Sequence, residues 1–208
     1  MRFLDVKTDF AFKKVFGSQQ SKPVLVDFLN AMLDYSGEFA IADLEIVDPY
    51  QIPLIKGMKD TFVDVKAVLA NGSRVIIEMQ VLNIEGFEQR ILYNAAKQYS
   101  SQLLKGEHYR LLNPVIALTF TDFILFKEAP EQVISRFRLI EYGDDIELVF
   151  VELPNFSAAR ISSTTSSSNG FTSSKTRANS TSFRKASTPR AFARLLRSST
   201  KRACVPKN

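Results

Sequence analysis

Two neighbouring stretches of alternating apolar and polar residues, 61–69 and 74–81, constrain the fold of this chain more than any other feature. Such alternation is typical of β-strands that bury one face. The segment between them contains Asn71-Gly72, a pair that favours a tight hairpin turn. The sequence therefore predicts an antiparallel β-hairpin over residues 61–81.

The register of this hairpin decides which side chains share a face. A two-residue loop at Asn71-Gly72 would place Asp64 opposite Met79 and would mix carboxylates with apolar side chains on both faces. A three- or five-residue loop shifts the pairing by one residue, so that Asp64 lies opposite Glu78 or Gln80. We predict the shifted register, because burial of one continuous apolar face outweighs the local turn preference.

In the shifted register each face of the hairpin has a uniform character. The predicted core face carries Val63, Val65, Ala67, Val75, Ile77, Met79 and Val81. The opposite face gathers Asp64, Lys66, Glu78 and Gln80 on a surface that Phe62 and Ile76 partly line.

Helical and strand patterns alternate around the hairpin. Helices are predicted over residues 7–16, from Ser21 to about Tyr35, and over 87–104. In the last of these, one apolar line is Phe87, Ile91 and Ala95, and a second is Leu92, Ala96, Tyr99 and Leu103. Further strands are predicted at 44–47 and 115–121, and a second hairpin at 137–142 and 147–153, turning through 143–145; residues 49–60 are predicted as a loop. The prediction is an α/β fold with a mixed central sheet flanked by helices.

Composition changes abruptly after Phe156. Of the 27 basic residues, 11 lie in 157–208, which has no Asp or Glu, so 16 basic residues face all 22 acidic ones in 1–156 and leave six net negative charges there. The segment 157–208 is rich in Ser, Thr and Arg and has few large apolar residues, which is typical of a disordered chain. We predict one folded domain over 1–156 and a basic, disordered tail over 157–208.

Several classes of protein are disfavoured by the composition. The one cysteine, Cys204, excludes an internal disulfide and a thiolate cluster, and the one histidine, His108, excludes a metal site built on several histidines. No apolar run approaches the roughly 20 residues that span a bilayer. We expect a cytoplasmic protein without a membrane partner.

The polar face of the first hairpin carries the candidate chemistry. Carboxylates opposite each other on paired strands lie about 4.5–5.5 Å apart at Cβ and repel unless something neutralises them. A hard divalent cation such as Mg²⁺ would do so, because it binds one or two carboxylates together with water and phosphate oxygens. The alternative is an ordinary solvated face, which is the more common explanation of an acidic pair on a hairpin.

An ordered set of short motifs resembles a known family. The chain resembles the Rpn family of recombination-promoting nucleases, also called PD-(D/E)XK nuclease family transposases, over about three quarters of its length. The matching stretches begin with Asp9-Phe10-Ala11-Phe12-Lys13-Lys14-Val15-Phe16-Gly17 and Phe28-Leu29-Asn30-Ala31-Met32-Leu33, and continue with Asp64-Val65-Lys66, Ile76-Ile77-Glu78-Met79-Gln80, Arg90 with Tyr93, Gly106-Glu107-His108-Tyr109 and Glu152-Leu153-Pro154.

The resemblance implies a bacterial DNA endonuclease that requires Mg²⁺ or Mn²⁺ and is associated with recombination or mobile elements. By matched position, Asp64 and Glu78 would bind the metal, and Gln80 stands where many members have lysine. At this catalytic position Gln80 could hold a water by hydrogen bonds, but glutamine brings no positive charge. Another residue would have to supply that charge, and Lys59, Lys66 and Arg90 are the candidates.

Some assignments stay open at the sequence level. Asp9 could approach the metal or cap the first helix. Arg90 and Tyr93 could contact phosphate or face solvent, and for Lys97 solvation is the preferred interpretation. The oligomeric state is open, and a dimer is compatible with the sequence.

Two further alternatives concern the whole protein. An inactive DNA-binding remnant is the alternative to a nuclease. The tail could bind DNA phosphates, or it could derive from a frameshift in the gene, and the frameshift is the preferred hypothesis.

Overall fold

The computed structural model describes residues 5–51, 59–129, 131–138 and 145–156. In these ranges the helices are α1 (Asp9–Phe16), α2 (Lys22–Leu33) and α3 (Phe87–Ser100). The strands are β1 (Leu44–Val47), β2 (Tyr50–Gln51), β3 (Thr61–Phe62), β4 (Val65–Leu69), β5 (Arg74–Gln80), β6 (Val115–Thr121), β7 (Ile134–Arg138) and β8 (Ile146–Glu152). The predicted tail and most of the predicted second turn lie outside the described residues.

Six strands form one mixed sheet in the order β1-β4-β5-β6-β8-β7, and β2 pairs with β3 in a separate ribbon. β4 is antiparallel to both β1 and β5, whereas β5, β6 and β8 run parallel to one another, and β7 is antiparallel to β8. Helix α3 connects the parallel strands β5 and β6. This arrangement confirms the predicted α/β fold with a mixed central sheet.

Helices cover both faces of the sheet. On one face α1 and α2 pack through Phe12, Phe16 and Phe28 against the sheet, with the rings of Phe16 and Phe28 stacked at 4.3 Å. On the other face α3 packs through Phe87, Ile91 and Ala95. β6 is buried along its whole length, as expected of a central parallel strand between two helical layers.

The hairpin of β4 and β5 has the predicted shifted register. Val65 pairs with Ile77 and Ala67 with Val75, and the backbone N–H of Leu69 donates to the Ser73 carbonyl at 2.9 Å. The loop is therefore three residues long and ends at Gly72, whose φ of +87° is a conformation that favours glycine. Val65, Ala67, Val75 and Ile77 form part of one core face, as predicted.

The predicted continuous strand over residues 61–69 is wrong at its middle. β3 ends at Phe62 and β4 begins at Val65, and Val63 packs beside Ile76 on the α3 face instead of joining Val65. The cause lies at Asp64, whose side chain accepts the hydrogen bond of the Met79 backbone N–H at 2.7 Å. A side-chain oxygen thus accepts the hydrogen bond of a backbone N–H that a regular antiparallel strand pair would direct to a backbone carbonyl.

Several other predicted boundaries of helices and loops differ from the observed ones. α1 begins at Asp9, not at residue 7, and α2 ends at Leu33 because Asp34 adopts a left-handed conformation with φ of 58°. α3 ends at Ser100, short of the predicted Leu104. The predicted loop over 49–60 contains the short strand β2. Among the described residues, none of the helices has the length and apolar character of a membrane span.

Candidate active site

The candidate site lies where β4 begins and β5 ends, between α1 and α3. One step beyond the pair of Val65 and Ile77, the register places Asp64 opposite Glu78. The break in the strand turns the Asp64 side chain toward α1, and Glu78 extends toward α3. The two side chains therefore take their partners from helices on opposite faces of the sheet, and not from the one shared polar face that the sequence predicted.

Asp64 is largely buried, with 15% of its side chain exposed. Its Oδ2 accepts the Met79 N–H, and its Oδ1 lies 3.4 Å from the Lys13 ammonium of α1. Burial raises the pKa of Asp64, and the nearby Asp9 carboxyl raises it further against the opposing effects of Met79 and Lys13. The ionised form of Asp64 is thus disfavoured in the folded protein.

Glu78 is also largely buried, and both of its oxygens have partners on α3. Asn94 donates to Oε1 at 2.6 Å, and Arg90 lies 3.3 Å from Oε2. Burial raises the pKa of Glu78, Asn94 and Arg90 lower it, and the charge of Asp64 adds to the rise. The charge of Asp64 therefore reaches the Glu78 carboxyl.

Gln80 has both ends of its amide engaged. Its Oε1 accepts from Arg90 at 2.7 Å, and its Nε2 donates to the Leu82 carbonyl at 2.6 Å. The Arg90 guanidinium also lies over the Phe87 ring, 5.5 Å from its centroid. Gln80, Glu78 and Phe87 together fix the position of Arg90 beside Glu78.

Asp9 of α1 is brought to the same place. Its carboxylate accepts from Lys13 at 2.7 Å, which lowers the pKa of Asp9, and Asp9 is near enough to raise the pKa of Asp64. No capping hydrogen bond is made by the side chain at the N-cap of α1, which is Thr8. The structure therefore brings Asp9 close to Asp64, and a role of Asp9 in metal binding stays a prediction.

The other predicted supporting residues lie elsewhere among the described contacts. The charged groups that influence the pKa of Lys66 are Arg74 and Asp48, neither of which belongs to the site. Lys59 accepts a hydrogen bond from Lys97 through its backbone carbonyl, and Tyr93 is on the outer side of α3, 36% exposed. Arg90 is the candidate cation that the structure brings to Glu78 and Gln80.

Sequence reasoning missed the polar face that α3 turns inward. Lys97, predicted to be solvated, is 5% exposed and donates to the Lys59 carbonyl at 2.8 Å. Asn94 and Gln98 are buried beside it, whereas Leu92, of the predicted second apolar line, is 52% exposed. The spacing of Arg90, Asn94, Lys97 and Gln98 follows one helical face, and that spacing is the signal that could have revealed it.

Sequence reasoning also missed Lys13. It lies between Asp9 and Asp64, four residues after Asp9 on the same helix. Within the described ranges, no group of three or more His, Cys, Asp or Glu side chains is arranged as a metal site. Two buried carboxylates with raised pKa values nevertheless suit a hard divalent cation that completes its shell with water and phosphate oxygens.

Comparison with family models gives a match over most of the chain. No curated protein sequence is significantly similar to the chain. The family model described as PD-(D/E)XK nuclease family transposase matches residues 6–194, a span that contains every site residue described above. The mixed sheet with flanking helices is consistent with the fold of these nucleases, which generally act on nucleic acids with divalent cations. The chain belongs to the family of PD-(D/E)XK nuclease family transposases.

Proposed function

We propose that this protein is a DNA endonuclease that requires Mg²⁺ or Mn²⁺, hydrolyses phosphodiester bonds and acts in recombination or on mobile elements. The observation that carries the proposal is the burial of two carboxyls with raised pKa values, Asp64 at the break between β3 and β4 and Glu78 on β5. Membership of the family supports a nucleic-acid substrate.

Burial of two ionisable carboxyls on one hairpin is costly for the fold, and raised pKa values are the sign of that cost. Perturbed carboxyls of this kind concentrate at functional sites. A divalent cation held by both would neutralise them, and when bound it would polarise the scissile phosphate and lower the pKa of an attacking water.

Arg90 supplies the positive charge that Gln80 does not carry. Its guanidinium is held by Gln80, by Glu78 and by the Phe87 ring, so it is oriented before the substrate binds. A fixed cation beside the metal ligands can stabilise the negative charge that develops on the phosphate. In this proposal Gln80 acts as a positioning residue for Arg90.

The test is Mg²⁺-dependent nicking of a supercoiled plasmid by the full chain and by Asp64→Asn. A matched control is Glu45→Gln, which removes one exposed carboxylate on β1. We expect nicking by the parent chain and by the control, its loss on chelation, and its loss in Asp64→Asn. If the parent chain and Asp64→Asn behave identically, the proposal is wrong and an inactive DNA-binding remnant becomes the better account.

A further inference from the structure

Lys13 occupies a particular position beside the site. Its ammonium lies 2.7 Å from Asp9 Oδ1 and 3.4 Å from Asp64 Oδ1, and 43% of its side chain is exposed. The Asp9 contact is the shorter, so Asp9 anchors the ammonium while Asp64 is its second partner. Lys13 thus contacts Asp64 from α1, as Asp9 does, whereas Glu78 takes its side-chain partners from α3.

The two oxygens of Asp64 differ in what they can still bind. Oδ2 is held by the Met79 backbone N–H, and losing that bond would leave a backbone donor unpaired. Oδ1 faces Lys13. A cation that binds Asp64 therefore approaches the oxygen that Lys13 already neutralises, and the two positive charges repel each other.

The Lys13 ammonium can bind a partner other than Asp64. Asp9 holds its ammonium at the rim of the site, and the lysine stem is flexible with three donor hydrogens on the nitrogen. A phosphodiester bound beside the cation would bring anionic oxygens to that rim. The ammonium can then exchange the Asp64 oxygen for a phosphate oxygen without leaving Asp9.

The neighbouring cationic side chains of Arg90 and Lys14 are held differently. Arg90 is held by Glu78, Gln80 and Phe87 on the α3 side. Lys14, the next residue on α1, lies over the Phe10 ring at 5.9 Å from its centroid. Lys13 differs from Arg90 because its partner in the pair is Asp64, and from Lys14 because it contacts a carboxylate of the pair.

We infer that Lys13 is a phosphate-binding residue of this site, which neutralises Asp64 until a divalent cation binds there and then contacts the scissile phosphate. The inference rests on the proposed function. It assigns Lys13 two opposing effects, because the charge that weakens cation binding is the charge that assists cleavage. A purely structural ion pair would not produce this opposition.

The test compares Lys13→Gln with Lys14→Gln, which removes the same charge one residue away. Mg²⁺ affinity is measured by calorimetry without DNA, and cleavage is measured under single-turnover conditions with saturating Mg²⁺. For Lys13→Gln we expect roughly two- to fivefold tighter Mg²⁺ binding, the range for a partly exposed ion pair, and about 100-fold slower cleavage. Lys14→Gln should change neither quantity. Lys13→Arg, which keeps the charge, should retain the parental Mg²⁺ affinity.

The outcomes separate this inference from the proposed function. If Mg²⁺ binds Lys13→Gln no more tightly than the parent chain, or if Lys13→Gln cleaves as fast as Lys14→Gln, the role of Lys13 is refuted while the nuclease stands. If the parent chain neither cleaves DNA nor binds Mg²⁺ more tightly than Asp64→Asn, the proposed function is refuted and the role of Lys13 with it.

Discussion

Replacing Asp64 separates the structural from the chemical role of its carboxylate. Asp64→Ala removes the acceptor of the Met79 N–H, which Asp64 now provides at 2.7 Å. A buried donor left unpaired costs about 1–3 kcal/mol. Asp64→Asn keeps an oxygen for this bond and lacks the negative charge. We therefore expect Asp64→Asn to be more stable than Asp64→Ala by about 1–3 kcal/mol, or roughly 2–12 °C in Tm for a domain of this size.

The stability of the parent chain should depend on pH through the ionisation of Asp64. Because burial raises the pKa of Asp64 in the folded state, the protonated carboxyl contributes favourably to the free energy of unfolding below its ordinary pKa of 3.8. It is lost as pH rises through the folded value. At neutral pH without metal, Asp64→Asn should consequently be at least as stable as the parent chain.

Thermal and urea unfolding in chelator at neutral and at acidic pH measure both effects. The stability difference between the parent chain and Asp64→Asn should narrow as the pH falls toward the unfolded pKa. Equal stability of Asp64→Ala and Asp64→Asn would show that the Met79 N–H does not depend on this side chain, and would refute the account of the strand break.

Two further predictions concern the charges of the site. Gln80→Lys should reduce the cleavage rate about 100-fold because the new ammonium lies against the Arg90 guanidinium, and adding Arg90→Gln should restore part of that rate. A double variant as inactive as Gln80→Lys would contradict the proposal that Arg90 supplies the missing positive charge. Mg²⁺ affinity should fall as pH is lowered through the pKa values of Asp64 and Glu78, which lie above their ordinary values of 3.8 and 4.5. A Mg²⁺ affinity that calorimetry finds constant down to these ordinary values would contradict the raised pKa values.

Much of the fold could be predicted from periodicity. β1 and β6 have the predicted boundaries, and the register of β4 and β5 followed from the requirement that one face be apolar. The burial of the line Phe87, Ile91 and Ala95 was predicted correctly, because apolar side chains that share one face of a helix pack into the core.

The interior of α3 could not be predicted in the same way. Lys97 and Asn94 are polar by type, and their burial depends on partners remote in sequence, the Lys59 carbonyl and Glu78. Leu92 was assigned to the core by its type and is exposed because the sheet reaches only one side of the helix. Sequence type sets the cost of burying a side chain, and the tertiary partners decide whether that cost is met.

For the candidate site, the sequence alone predicted the hairpin register that places Asp64 opposite Glu78, since strand alternation and the apolar rows leave few registers. Only the tertiary structure decided what surrounds them. α1 brought Lys13 and Asp9 to Asp64, and α3 brought Arg90 and Asn94 to Glu78. The physical reason is range: strand pairing here is a local contact over fewer than 20 residues, whereas the charges on helices depend on how each helix packs against the sheet.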